Sequence, residues 1–129
     1  MGVYGRIMRR VFLIALVVTV LASTGVALAA GPTINTNPTR VAQGGVVRVF
    51  GVVPQCARGN TVTLLSRAFS HRHEFAGVPA ISAVVRRHHR YSKRTTIPAQ
   101  RRPGRYRITG RCGGGNLGVI AHLRVTALY

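Results

Sequence analysis

The chain is 129 residues long and carries 19 lysines and arginines against a single acidic residue, for a formal charge of +18. That length, once a leader is removed, leaves room for one domain with one modest core and excludes a second. Glu74 is the sole carboxylate side chain, which excludes hydrolysis by paired carboxylates.

Residues 1–30 read as an N-terminal signal helix. Arg6, Arg9 and Arg10 supply a positive start, Val11 to Leu21 is an uncharged apolar run, and Ala27-Leu28-Ala29 has the small-x-small pattern of a signal-peptidase site. The alternative is a retained membrane anchor, because Val11 to Ala30 counts 20 residues, close to the length that crosses a bilayer. Ala22-Ser23-Thr24-Gly25 dilutes the apolar run, and small residues rather than anchoring aromatics or charges flank Leu28, so cleavage is the preferred reading. Arg9-Arg10-Val11-Phe12-Leu13 resembles a twin-arginine signal, but Met8 stands where a polar residue is usual, which favours the general secretory route. The expected location is secreted or cell-envelope associated.

Residues 31–129 then form the functional domain, with 15 arginines, one lysine and Glu74, a net charge of +15. Such imbalance works against a compact state and predicts attraction to polyanions: cell-wall phosphate polymers, anionic lipids, lipopolysaccharide or nucleic acid. The competing reading is compositional, since arginine-rich usage is also what a GC-rich genome encodes. Cys56 and Cys112 both lie in this part, and an exported pair is expected to close into the one disulfide possible within the monomer. Closing that loop is worth about 4 kcal/mol in the chain-entropy description. Neither a C-x-x-C spacing nor histidines at ligand spacing surround the cysteines, so a structural role is expected.

In chain order, Gly31 to Gln43 is turn-rich and predicts a lead-in segment with a short edge strand. Val46 to Val53 is β-branched and bounded by Gly44-Gly45 and Pro54, predicting a strand with Val47, Val49 and Val53 inward and Gly51 at a close approach or bulge. Asn60 to Ser66 predicts a strand with Val62 and Leu64 inward, Arg67 to Glu74 a polar interruption, and Phe75 to Pro79 an irregular connection. Ile81 to Arg87 reads as a strand that runs into the charged turn Arg86 to Arg90. Tyr91 to Ile97 alternates with Tyr91, Thr95 and Ile97 on one face. Pro103-Gly104 is a turn that releases Arg105 to Cys112, with Tyr106, Ile108 and Cys112 on one face and arginines on the other. Gly113 to Asn116 is expected to be a tight hairpin loop, and Val119, Ala121, Leu123 and Val125 alternate through a final strand. About seven short strands with frequent turns and no helical stretch predict an all-β sandwich.

Pro38, Val41, Gly44, Val47, Val49, Gly51 and Cys56, followed by Ile97-Pro98, Pro103-Gly104-x-Tyr106 and Cys112, resemble the secreted immunoglobulin-like domains common in actinobacteria. The resemblance implies an immunoglobulin-like Greek-key sandwich over residues 31–129 whose cysteines join neighbouring elements, with the Tyr106 hydroxyl bonding back to the preceding turn. His89-Arg90 departs from it, where such domains often carry Asp-Gly. The first strand is also similar to apoproteins of the neocarzinostatin type, which would imply two disulfides and an acidic surface; no bound chromophore is expected here, and no cofactor.

A Ser-His-acid triad lacks its Gly-x-Ser-x-Gly turn, and Gly113 to Gly115 lacks the following helix and Lys-Ser/Thr of a phosphate loop. His71, His73, His88 and His89 are the candidate zinc or copper ligands, against repulsion from Arg67, Arg72, Arg86, Arg87 and Arg90. The stronger feature is basic: Arg86, Arg87, Arg90, Lys93 and Arg94 cluster at one turn, and Arg101, Arg102, Arg105 and Arg107 at the next. If adjacent strands carry them, they form one cationic face suited to phosphate or carboxylate polymers. No recognition helix or aromatic stacking platform supports sequence-specific nucleic-acid binding. The expected function is therefore an exported, non-enzymatic binding module on an anionic cell-wall polymer or membrane surface. A secreted metal-binding domain is the alternative.

Overall fold

Turn residues break the first part of the domain into short strands, β1 (Asn35–Asn37) and β2 (Arg40–Ala42), before alternating valines sustain β3 (Val46–Val52). The computed structural model describes residues 31–128; the signal segment, and with it the choice between cleavage and anchoring, lies outside them. There follow β4 (Thr61–Leu65), β5 (Glu74–Phe75), β6 (Val78–Val84), a 3-10 turn at Arg87–His89, β7 (Arg90–Thr96), β8 (Gly104–Cys112), β9 (Gly115–Asn116) and β10 (Ala121–Thr126). The all-β class is as expected. Ten strands replace the expected seven or so because three short pairings, β1, β5 and β9, add to the long alternating runs.

Two sheets pack face to face. One has the order β1-β3-β7, the other β2-β10-β8-β4-β6-β5 with β9 paired to β8. Pairing is antiparallel except between β2 and β10, which run parallel. The lead-in segment thus contributes to both sheets, β1 to the first and β2 to the second. Val47, Val49, Tyr91 and Ile97 from the first sheet meet Val62, Leu64, Ile108, Leu123 and Val125 from the second in one apolar core.

Gly51 is the close approach that the sequence predicts: a Cβ there would lie 2.1 Å from the Thr33 carbonyl oxygen. Two connections differ from expectation. Phe75 to Pro79 is a two-residue hairpin, with Ala76 (φ 52°) and Gly77 (φ 80°) both left-handed, so β6 begins at Val78. The Gly-rich loop is also shorter than expected. Gly113 (φ 60°) and Gly114 make the turn, β9 returns along β8, and Leu117 then seats its side chain over Gly110, where a Cβ would fall 2.6 Å from Leu117 Cδ1.

The loop from Arg67 to Glu74 is not wholly polar. Ala68 and Phe69 are fully buried, and Phe69 is among the largest buried side chains. Ser66 prepares that inward turn, its Oγ accepting from the Ala68 N–H and its carbonyl from the Phe69 N–H. Cys56, in the loop that leads from β3 to β4, is bonded to Cys112 at the end of β8 with a Cα separation of 5.9 Å, so the cross-link ties the loop leaving the first sheet to a central strand of the second. Among the described residues no helix is long and apolar enough to cross a membrane.

Replacing both cysteines by alanine is expected to lower unfolding free energy by roughly 2–4 kcal/mol in denaturant titrations. An unchanged midpoint would contradict the structural role of the bond. Phe69→Ala should cost about 3–5 kcal/mol, as for a core aromatic; a loss below about 1 kcal/mol, the range of surface changes, would mean that the loop does not anchor the core.

Candidate functional site

The register of β7 on β3 sets Arg94 beside Arg48 and Arg90 beside Val52, all on the outer side of the first sheet. Arg86 and Arg87, both exposed, extend this group from the adjoining turn. Lys93 faces the other way. It pairs in register with buried Val49, yet it is exposed because β7 is an edge strand, and its neighbours there are His73 and Ile81. An inward-pointing charge on an edge discourages pairing with another chain's strand.

Arg105 and Arg107 lie on β8, in the second sheet, so the two basic clusters do not merge into one face. Adjacent numbering placed them together; the crossover from β7 to β8 between sheets separates them. Arg101 is drawn into the fold, its guanidinium donating to the Phe69 carbonyl at 2.9 Å while its own carbonyl accepts from Gln43 Nε2 at 2.6 Å. The Arg102 carbonyl accepts from the Tyr106 hydroxyl, the corner contact that the resemblance implies. Arg102 itself is exposed.

On the outer side of the second sheet the register lines up three arginines from three adjacent strands. Arg124 of β10 is opposite Arg40 of β2 on one side and Arg105 of β8 on the other. The next row along the strands pairs His122 with Arg107. Farther along β8, Arg111 stacks over Phe75 at 5.1 Å and donates to the Gly114 carbonyl at 2.9 Å. Arg40, Arg124 and His122 were missed by sequence reasoning. Their outward direction was legible, with Arg124 between buried Leu123 and Val125, but not the parallel pairing that brings β2 beside β10.

The first sheet bears a shallow groove of about 380 Å³ floored by Phe50 and rimmed by Arg48, Arg86 and Arg90. Arg48 lies 4.3 Å from the Phe50 ring centroid, a cation–π contact along one face of β3. Beneath it the Tyr91 hydroxyl donates to the Thr33 carbonyl at 2.8 Å. Burial pushes that hydroxyl above the ordinary tyrosine pKa of 10.0.

The candidate metal ligands are dispersed. His71 Nδ1 is 2.8 Å from Glu74 Oε1, an exposed pair, and His89 Nδ1–H donates to the Cys56 carbonyl at 2.8 Å. His73 sits beside Lys93, and His88 is exposed in the turn at φ 60°. Among the described residues no group of three or more His, Cys, Asp or Glu side chains is placed to hold a metal ion. No protein-family model matches the chain, and a search of curated proteins returned no match.

Because Tyr91 is held protonated in the fold, its contribution is complete below the ordinary pKa and lost as pH rises above about 10. Tyr91→Phe should cost about 1 kcal/mol at neutral pH through the lost hydrogen bond, and this gap should narrow above pH about 10. A gap that stays constant with pH would show that Tyr91 titrates normally.

Proposed function

We propose that this protein is an exported, non-enzymatic, immunoglobulin-like β-sandwich that associates through its arginines with anionic polymers or surfaces of the cell envelope. The observation that carries the reading is the charge of residues 31–129: sixteen cationic side chains against Glu74, whose carboxylate is paired with His71. With so few internal counter-ions, the cationic field is turned to the outside. The immunoglobulin-like assignment, and the likeness to secreted actinobacterial domains, draws support from the strand order, from a lead-in segment divided between both sheets, and from a disulfide between the loop leaving the first sheet and a central strand of the second. The Tyr106 corner departs from the usual immunoglobulin arrangement, since it stands six residues before Cys112 rather than two. Export is supported by the closed disulfide, which belongs to an oxidising compartment, and by the leader sequence. The non-enzymatic reading rests on the lone, exposed carboxylate and on the shallow form of the groove at Phe50.

Oxidised protein purified from an exporting host should co-sediment saturably with isolated bacterial cell envelopes at low salt, and the bound fraction should fall as salt rises and the Debye length shrinks from about 30 Å at 0.01 M to about 8 Å at 0.15 M. Absence of binding at low salt would refute the proposal.

A further inference from the structure

Three arginines directly opposite one another on neighbouring strands oppose folding, since like charges at such positions repel. Arg40, Arg124 and Arg105 do this in one row across β2, β10 and β8, with Arg107 in the next row beside His122. All four arginines are exposed. Arg101 and Arg111 are the arginines whose guanidinium groups donate to carbonyls among the described residues, so the row is not held by the protein's own acceptors. The lone acidic side chain gives it no relief either. Glu74 sits on β5, at the opposite edge of the same sheet from β2.

We propose that the Arg40–Arg124–Arg105 row, with Arg107, is a binding site for an unbranched chain of phosphate groups laid across the strands. This rests on the polyanion reading above and narrows it to one face and one ligand chemistry. Adjacent strands are spaced about 4.8 Å apart, so the backbone positions of the three arginines span about 10 Å across the strands. The geometry favours an extended ligand over a compact one. A phosphate within a chain keeps two non-bridging oxygens that match one guanidinium fork, so phosphates repeated along an unbranched chain can each engage one arginine of the row. The outward positions of β2, β8 and β10 carry arginine, threonine and small side chains, with His122 the one ring, so bases would find no stacking platform there.

The test compares oxidised wild-type protein with two variants of equal charge loss: Arg40→Gln/Arg105→Gln/Arg124→Gln on the row, and Arg87→Gln/Arg90→Gln/Arg94→Gln on and beside the other sheet. Titrations use long-chain inorganic polyphosphate and poly(glycerol phosphate) as probes, with single-stranded DNA as comparator. The row variant should weaken binding of the phosphate polymers about tenfold or more, and the control less than about threefold. Binding of only one of the two polymers would identify condensed phosphate or polyol phosphate as the source. Equal losses in both variants would overturn the row as a site while leaving the diffuse polyanion reading intact. Wild-type protein that sediments with envelopes but binds neither phosphate polymer would overturn the ligand class alone, as would equally tight, equally row-dependent binding of DNA. Failure to bind envelopes and every probe would sink both readings. Without ligand the row variant should melt at or above the wild-type temperature, because repulsion is removed. Should it melt well below, Arg124→Gln alone decides, with an expected loss of about threefold and no loss counting against the site.

Discussion

The covalent link between Cys56 and Cys112 is the constraint on which the two sheets depend. It spans 56 residues of sequence and joins the loop leaving the first sheet to the end of the central strand β8 of the second. On either side of it lie outer faces crowded with cations that repel one another. The core that must resist this repulsion consists mostly of valine, leucine, isoleucine and alanine, with Phe69 and Tyr91 as its aromatic members. A domain of about 100 residues usually retains only some 5–15 kcal/mol of net stability. A cross-link contributing several kcal/mol is therefore a large fraction of what keeps this one folded, and a reducing environment would remove it.

Much of the sandwich was legible because period-2 alternation is a direct record of burial. The inward positions of β3, β4, β8 and β10 and the ends of β7 follow from side chains that the sequence shows to be apolar, whereas the turn before β8 lies at Ala99-Gln100, and Gly104, expected in the turn, already belongs to the strand. The misses have equally definite causes. Ala76 adopts a left-handed conformation that alanine rarely takes, so no turn signal marked the hairpin. Phe69 is surrounded by arginine, serine and histidine in sequence, and its burial depends on a loop folding back over the end of the sandwich. For the candidate site, sequence showed which arginines point outward but not which sheet each belongs to. Cluster membership was inferred from proximity along the chain, whereas the row across β2, β10 and β8 comes from long-range pairing that no local pattern encodes.

The division of charge between the sheets also gives the two faces different characters. The first sheet has an aromatic floor at Phe50 under Arg48, within a groove rimmed by arginines. The second presents aligned arginines, of which Arg105 and Arg107 also line a recess of about 520 Å³ beside Arg67 and Thr109. Lys93, directed inward at the edge between them, serves neither face and instead guards β7 against strand addition.

The parallel pairing of β2 with β10 carries a consequence for how the chain reaches its native form. Val41 accepts a hydrogen bond from Thr126, 85 residues later, and the Gln43 N–H bonds to the carbonyl of the same threonine. A chain delivered amino end first from a ribosome or through a translocation pore thus presents β2 long before its partner exists. Closure of this edge must wait for β10, the last strand among the described residues, to emerge. Delivery of the chain and completion of the fold are separated in time by the topology itself, and during that interval the edge of β8 that β10 will cover stays open.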